Sequence, residues 1–281
     1  MLTVSKEFDV GPGVRIGGSQ PLFLIAGPCV IESRDHARLM ARELKAICRE
    51  LGLPFVFKAS FDKANRSSIR SYRGPGLQEG LKILRGIREE FSVAVLSDVH
   101  ETGQVALAAE VLDIIQIPAF LCRQTDLILE AAQTGKPLNL KKGQFLAPED
   151  MRNAVDKVLS RGNDRIILTE RGTSFGYHNL VMDVRSIPVL KSFGFPVALD
   201  ASHSVQRPAG LGTASGGDAE FIPFLAKAGV SVGADGIFIE VHDDPAKALS
   251  DGPNSLKLKD LKGLLTTLLA IRRAAGNREP A

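Results

Sequence analysis

Tryptophan is absent from this 281-residue chain, tyrosine occurs twice and cysteine three times. Cys29, Cys48 and Cys122 are odd in number and form no Cys-x-x-Cys pair. That argues against a disulfide framework or a zinc knuckle and favours a reducing compartment. Charge of one sign is lacking too: 35 basic against 32 acidic residues leave only +3, spread evenly. Neither nucleic acid nor a membrane surface is expected as a partner, so any preference for anions must come from local clusters. No apolar run approaches the roughly 18 residues of a membrane span. Residues 1–20 hold no apolar core of a secretory signal, so none is expected. What is present is ordinary for a globular chain, with 44% hydrophobic and 24% charged residues. The length fits either two average domains or one α/β barrel of roughly 250 residues.

Short apolar, β-branched runs recur at 22–26, 55–59, 93–98, 114–117, 138–141, 166–170, 197–200 and 236–240. Segments with helical spacing lie between them, among them 37–51, 77–90, 105–111, 126–133, 151–159 and 221–228. Strands alternating with helices imply βαβ units and a parallel sheet. Eight of them closed in a ring make a (β/α)8 TIM barrel, here a single domain over 1–281. A doubly wound open sheet is the alternative, but its Gly-x-Gly-x-x-Gly turn is missing after the first strand, where Gly27-Pro28-Cys29 stands. Residues 1–20, with their Gly-Pro-Gly and Gly-Gly turns, read as an N-terminal hairpin ahead of the barrel. The Gly-rich stretch 202–218 reads as a mobile active-site loop.

Polar residues gather at the C-terminal ends of the expected strands: Cys29, Lys58, Asp98, Lys141, Glu170, Arg171, Asp200 with His203, and Glu240. In a barrel these positions converge on one mouth, where barrel enzymes keep their active sites. Lys58, Lys63, Arg66, Lys141 and Arg171 suit a ligand carrying phosphate or carboxylate groups. Lys142 and Arg73 read instead as solvated surface cations. Cys29, His203, Glu240 and Asp251 offer a thiolate, an imidazole and two carboxylates, a donor set for a divalent transition metal. Their spacing is no local metal motif. Cys29 alone also reads as a small buried residue, and Asp251 in Ser-Asp-Gly-Pro-Asn as turn chemistry. Cys48 lies in the first helix and is expected to pack.

Several motifs carry a resemblance across residues 22–269. They include Ala26-Gly27-Pro28-Cys29, Lys58-Ala59-Ser60-Phe61-Asp62-Lys63-Ala64-Asn65-Arg66-Ser67-Ser68, and Gln116-Ile117-Pro118-Ala119-Phe120-Leu121-Cys122-Arg123. Lys141-Lys142-Gly143-Gln144-Phe145, Asp200-Ala201-Ser202-His203-Ser204 and Asp251-Gly252-Pro253-Asn254 complete the set in the same order. The chain thereby resembles the 3-deoxy-D-manno-octulosonate 8-phosphate synthases, transferases of lipopolysaccharide biosynthesis. The resemblance implies a cytoplasmic (β/α)8 homotetramer that condenses phosphoenolpyruvate with D-arabinose 5-phosphate and water. It implies phosphoenolpyruvate contacts from Lys58, Lys63, Ala119, Lys141 and Arg171. Arabinose 5-phosphate would be held by Asn65, Arg66, Ser67 and Asp98, with Arg123 donated across a subunit interface. Metal-independent relatives place Asn where Cys29 stands, so the metal-dependent branch is implied. Its ligands map to Cys29, His203, Glu240 and Asp251, holding one divalent ion per subunit, zinc, iron, manganese or cobalt. Lys63 and His203 are the candidates for proton handling. Two other activities stay open. A related barrel synthase uses erythrose 4-phosphate and typically carries a Lys-Pro-Arg-Thr-Ser run in place of Lys63-Ala64-Asn65-Arg66-Ser67. A Schiff-base aldolase would use Lys141 as nucleophile.

Overall fold

A computed structural model describes residues 4–208 and 216–276. Eight parallel strands form its centre: β1 (Phe23–Gly27), β2 (Phe55–Lys58), β3 (Ala94–Asp98), β4 (Ile114–Ile117), β5 (Leu138–Lys141), β6 (Ile166–Glu170), β7 (Val197–Asp200) and β8 (Gly236–His242). Each pairs with the next, and β8 pairs with β1 from Gly236↔Phe23 to Glu240↔Gly27, which closes the ring. Every residue of these strands is buried, as expected when both faces of a parallel sheet are covered. The barrel expectation holds, with strand bounds shifted by a residue or two. The largest shift is at β8, which runs on to His242.

The outer ring comprises α1 (Arg34–Leu51), α2 (Leu77–Phe91), α3 (Thr102–Val111), α4 (Thr125–Gln133), α5 (Met151–Leu159), α6 (Ser186–Lys191), α7 (Ile222–Ser231) and α8 (Leu258–Ala274). In α1 the buried residues Ala37, Met40, Ala41, Leu44 and Cys48 recur at three- and four-residue steps, so one stripe faces the barrel. Cys48 packs in that stripe as expected, and burial pushes its thiol up to about 12. The Ser33 hydroxyl accepts the His36 amide (3.1 Å) and starts the helix, and Gly52 at φ 66° ends it.

The N-terminal hairpin pairs Phe8–Gly11 with Val14–Ile16. Its buried Phe8, Val10, Val14 and Ile16 cluster with Phe23, Ile25, Ala94, Leu96, Ile167 and Phe238 from the strands. The hairpin thus plugs the lower end of the barrel, and the polar residues are left the upper end. The stretch 202–218 is anchored at both ends rather than irregular throughout. A 3-10 turn spans His203–Val205, and Gln206–Arg207 pairs with Gly216–Gly217. The centre of the expected mobile loop lies outside the described residues. Leu256–Lys257 adds a short parallel strand beside Val241 and His242.

Candidate active site

Lys58, Asp98, Lys141, Glu170 and Asp200 are each the last residue of a strand. Geometry therefore delivers them to one rim. A cavity of about 680 Å³ opens there, lined among others by Lys58, Lys63, Asn65, Arg66, Ser67, Asp98, Ala119, Lys141, Arg171, His203 and Asp251. Gly27 sits where a Cβ would run into the Lys58 carbonyl, so the first strand can end against the second only with glycine.

Two buried ion pairs organise the rim. Lys58 Nζ donates to Glu240 Oε1 and to the Cys29 carbonyl, each at 2.9 Å. Lys141 Nζ stands 2.5 Å from Asp200 Oδ2 and 4.0 Å from the centre of the Phe238 ring. Burial pulls the Lys141 ammonium below its ordinary value, against the pull of Asp200. Burial also opposes charge on Lys63, but the Glu240, Asp98 and Asp251 carboxylates outweigh it and hold the ammonium firmly protonated.

The four proposed metal ligands come together. Donor atoms of Cys29, Glu240 and Asp251 lie within 4.8 Å of one another. His203 Nε2 is 3.8 Å from Glu240 Oε1 and 3.8 Å from Asp251 Oδ2. Cys29 Sγ is 2.9 Å from both Asp251 Oδ2 and Ser250 Oγ. His203 Nδ1 donates to Asp200 Oδ2 at 2.7 Å, which leaves Nε2 as a bare lone pair on the cluster side. Asp251 adopts φ 53°, an unusual conformation that aspartate tolerates better than most residues.

The electrostatics fit a cation. Burial, then Asp251 and Glu240, drives the Cys29 thiol well above its usual pKa. Burial works against charge on Asp251, yet the Lys63 ammonium holds its carboxyl down at about 2. Glu240 Oε2 is buried without a hydrogen-bond partner. A thiol that resists ionisation beside an orphaned carboxylate oxygen is what a divalent ion would resolve.

Two further orphans face the cavity residues. Arg171 Nη2 donates to Gln206 Oε1 (3.0 Å), and Arg66 Nε donates to the Tyr72 carbonyl (2.9 Å). Arg171 Nη1 and Arg66 Nη2 are buried and unpaired. Asn65 and Ser67 are exposed on the cavity wall. Asp98 is held by the Ser60 hydroxyl and by His100 Nε2, the latter at 2.8 Å. Arg123 is exposed and does not line this chain's own cavity.

One expectation is overturned. Lys142 is not a solvated surface cation. It is 1% exposed, and its ammonium donates to the carbonyls of Gly143, Leu146 and Gly172 and to the Thr173 hydroxyl, with Glu170 at 3.7 Å. It pins the loops after β5 and β6. Arg73 is exposed and paired with Asp62, as expected. Sequence reasoning missed His100, Gln116, Gln144 and Gln206, all on the cavity wall. His100 and Gln144 lie two and three residues past a strand end, a position that could have flagged them.

Comparison with known proteins places this architecture among relatives. Residues 2–274 match the DAHP synthetase I family. The chain is 60% identical to a 2-dehydro-3-deoxyphosphooctonate aldolase of Pelobacter propionicus over 268 residues, 95% of this chain and 98% of the relative. It is 60% identical to the protein of that name from Geotalea uraniireducens over 95% of this chain and 97% of the relative. The corresponding figures for the one from Geobacter sulfurreducens are 57%, 95% and 98%.

Proposed function

The chain belongs to the DAHP synthetase I family, among the 2-dehydro-3-deoxyphosphooctonate aldolases, and from that premise we propose how its mouth divides the work. The enzyme condenses phosphoenolpyruvate with D-arabinose 5-phosphate and water, giving 3-deoxy-D-manno-octulosonate 8-phosphate and phosphate for lipopolysaccharide biosynthesis.

The observation that carries the division is the pair of buried, unpaired guanidinium nitrogens, Arg66 Nη2 and Arg171 Nη1, on one cavity. An unsatisfied buried cation calls for an anion, and two of them suit two anionic substrates. Arg171, with Lys58, Lys63, Lys141 and the Ala119 backbone, holds phosphoenolpyruvate. Arg66, with Asn65, Ser67 and Asp98, holds the sugar phosphate. Fixed side by side, C3 of phosphoenolpyruvate attacks the aldehyde carbon of the open-chain sugar. C2 gains positive character and is captured by water, and the tetrahedral product loses phosphate by C–O cleavage. Positioning converts a two-substrate encounter into a pre-oriented reaction.

Cys29, His203, Glu240 and Asp251 would hold one divalent transition ion, which when bound supplies a Lewis acid beside the reacting groups. His203 Nε2 belongs to that ligand set, so proton handling falls to Lys63, which, held as an ammonium, acts as a donor. A homotetramer and a cytoplasmic location belong to the same proposal. Among the described residues no helix is long and apolar enough to cross a membrane.

Phosphate release tests the substrate assignment. Arabinose 5-phosphate should outpace erythrose 4-phosphate as acceptor, because Asn65-Arg66-Ser67 supplies the sugar-phosphate contacts. Faster turnover with erythrose 4-phosphate would overturn it. No adduct should be trapped by borohydride with pyruvate, since Lys141 is engaged by Asp200. A second expectation concerns the interface. Arg123→Ala should raise KM for arabinose 5-phosphate about 10-fold or more, the loss of a charge-assisted phosphate contact worth about 1.5–3 kcal/mol. An unchanged KM would remove Arg123 from the neighbouring site.

A further inference from the structure

A second cluster of metal-ligating side chains lies behind the mouth. Glu32 follows Cys29 by three residues, His36 stands one helical turn further on in α1, and His242 closes β8 two residues past Glu240. One ligand atom from each of the three lies within 4.8 Å of the others. None of the three lines the mouth cavity.

Each imidazole aims one ring nitrogen at Glu32. His242 Nε2 is 3.3 Å from Glu32 Oε1, and His36 Nδ1 is 4.0 Å from Glu32 Oε2. Both ring nitrogens are buried without a hydrogen-bond partner. The side chains of His242, His36 and Glu32 are only 6%, 14% and 15% exposed. Water therefore does little to compensate them.

The outer nitrogens both lie beside Asp243, which hydrogen-bonds to one of them. His36 Nε2 is 3.1 Å from Asp243 Oδ1. A carboxylate only accepts, so in the neutral imidazole the proton sits on Nε2 and Nδ1 is a bare lone pair. His242 Nδ1 is 3.0 Å from the same Asp243 Oδ1 and accepts the Asp244 amide at 2.9 Å. Coordination at Nε2 would move the ring proton to Nδ1, where Asp243 stands ready to accept it in place of the amide bond. Both rings would then have the carboxylate–histidine arrangement that orients metal ligands. Ligand atoms of a tetrahedral N/O site with bonds of ~2.0–2.1 Å lie ~3.4 Å apart, and the observed separations need only a small shift. Asp243 is 41% exposed, so the cluster borders solvent and an ion has a way in.

We propose that Glu32, His36 and His242 form a second site for a divalent transition metal of the zinc class, with water as the remaining ligand. Its role is structural. Glu32 Oε1 also accepts the Leu249 amide at 2.8 Å, immediately before Ser250 and Asp251. An ion here ties the start of α1 to the end of β8 and, through Glu32, to the loop that presents Asp251 to the mouth.

Cobalt(II) is the probe, titrated into untagged full-length protein stripped of metal. His36→Ala should bind one equivalent fewer than the wild type, and His36→Ala/Cys29→Ala one fewer than Cys29→Ala. The thiolate-to-cobalt absorption band of the mouth should survive His36→Ala and vanish in Cys29→Ala, which separates a failure of either site from a failure of the other. His36→Gln, which keeps a polar side chain at the helix start, should behave as His36→Ala. Cobalt should raise the melting temperature of Cys29→Ala more than that of the double variant. Equal stoichiometry with and without His36, in both backgrounds, would overturn the proposal.

Discussion

Lys58→Met is expected to lower stability by about 3–5 kcal/mol, the cost of leaving one charge of a buried pair without its partner. Lys58 is 2% exposed and Glu240 is fully buried, with 2.9 Å between them. Burial acts to raise the Glu240 carboxyl, and Lys58 is the strongest of the cations that instead hold it below the usual range. Without that ammonium, Glu240 is left as an unpaired carboxylate or takes up a proton. Either outcome also weakens its use as a metal ligand. For a chain of this size the loss corresponds to roughly 5–8 °C in melting temperature. Lys58→Met/Glu240→Gln should recover part of the stability and none of the activity, because the double variant removes the unpaired charge but not the missing contacts. Calorimetry of the two variants beside the wild type reads this directly, and a melting temperature unchanged in Lys58→Met would refute the buried-pair account.

Substitution of Cys29 is expected to have the largest effect on turnover. Cys29→Ala should lose the mouth ion and nearly all activity. Cys29→Asn should lose tight binding yet keep some chelator-insensitive turnover, since the family resemblance puts Asn there in metal-independent members and the cations proposed to hold both substrates are untouched. The pH dependence has a definite sign. The buried thiol holds its proton to well above neutral pH, and coordination must displace it, so metal affinity should fall as pH is lowered. Metal content and phosphate release measured on the same samples check each point. Full activity in metal-free Cys29→Ala would leave Cys29 as a packing residue.

The barrel was legible because a parallel sheet covered on both faces writes its strands as short continuous apolar runs, and FLIAG, FVFK and IILTE are such runs. The mouth was legible for a related reason. Lys58, Asp98, Lys141 and Asp200 end their strands, and a closed ring brings strand ends together. Helix α6 was harder to see, being six residues long with Pro188 inside it. Lys142 was misread because a lysine one past a strand end looks solvated in one dimension. Only the folded chain shows the backbone carbonyls that converge on its ammonium. Cys29 reached the ligand set by family likeness rather than by spacing, since its partners are 174, 211 and 222 residues away along the chain. Glu32, His36 and His242 left no joint signal for the same reason. Glu32 precedes α1 and His36 lies in its first turn, and the third waits at the far end of the barrel's last strand.

The most direct test of the account is phosphate release from phosphoenolpyruvate and arabinose 5-phosphate by wild-type enzyme stripped of metal, with elemental analysis of the same sample. Activity should be negligible in the stripped protein and return when zinc, manganese or cobalt is restored to the mouth ligands. Undiminished turnover in verified metal-free enzyme would contradict it.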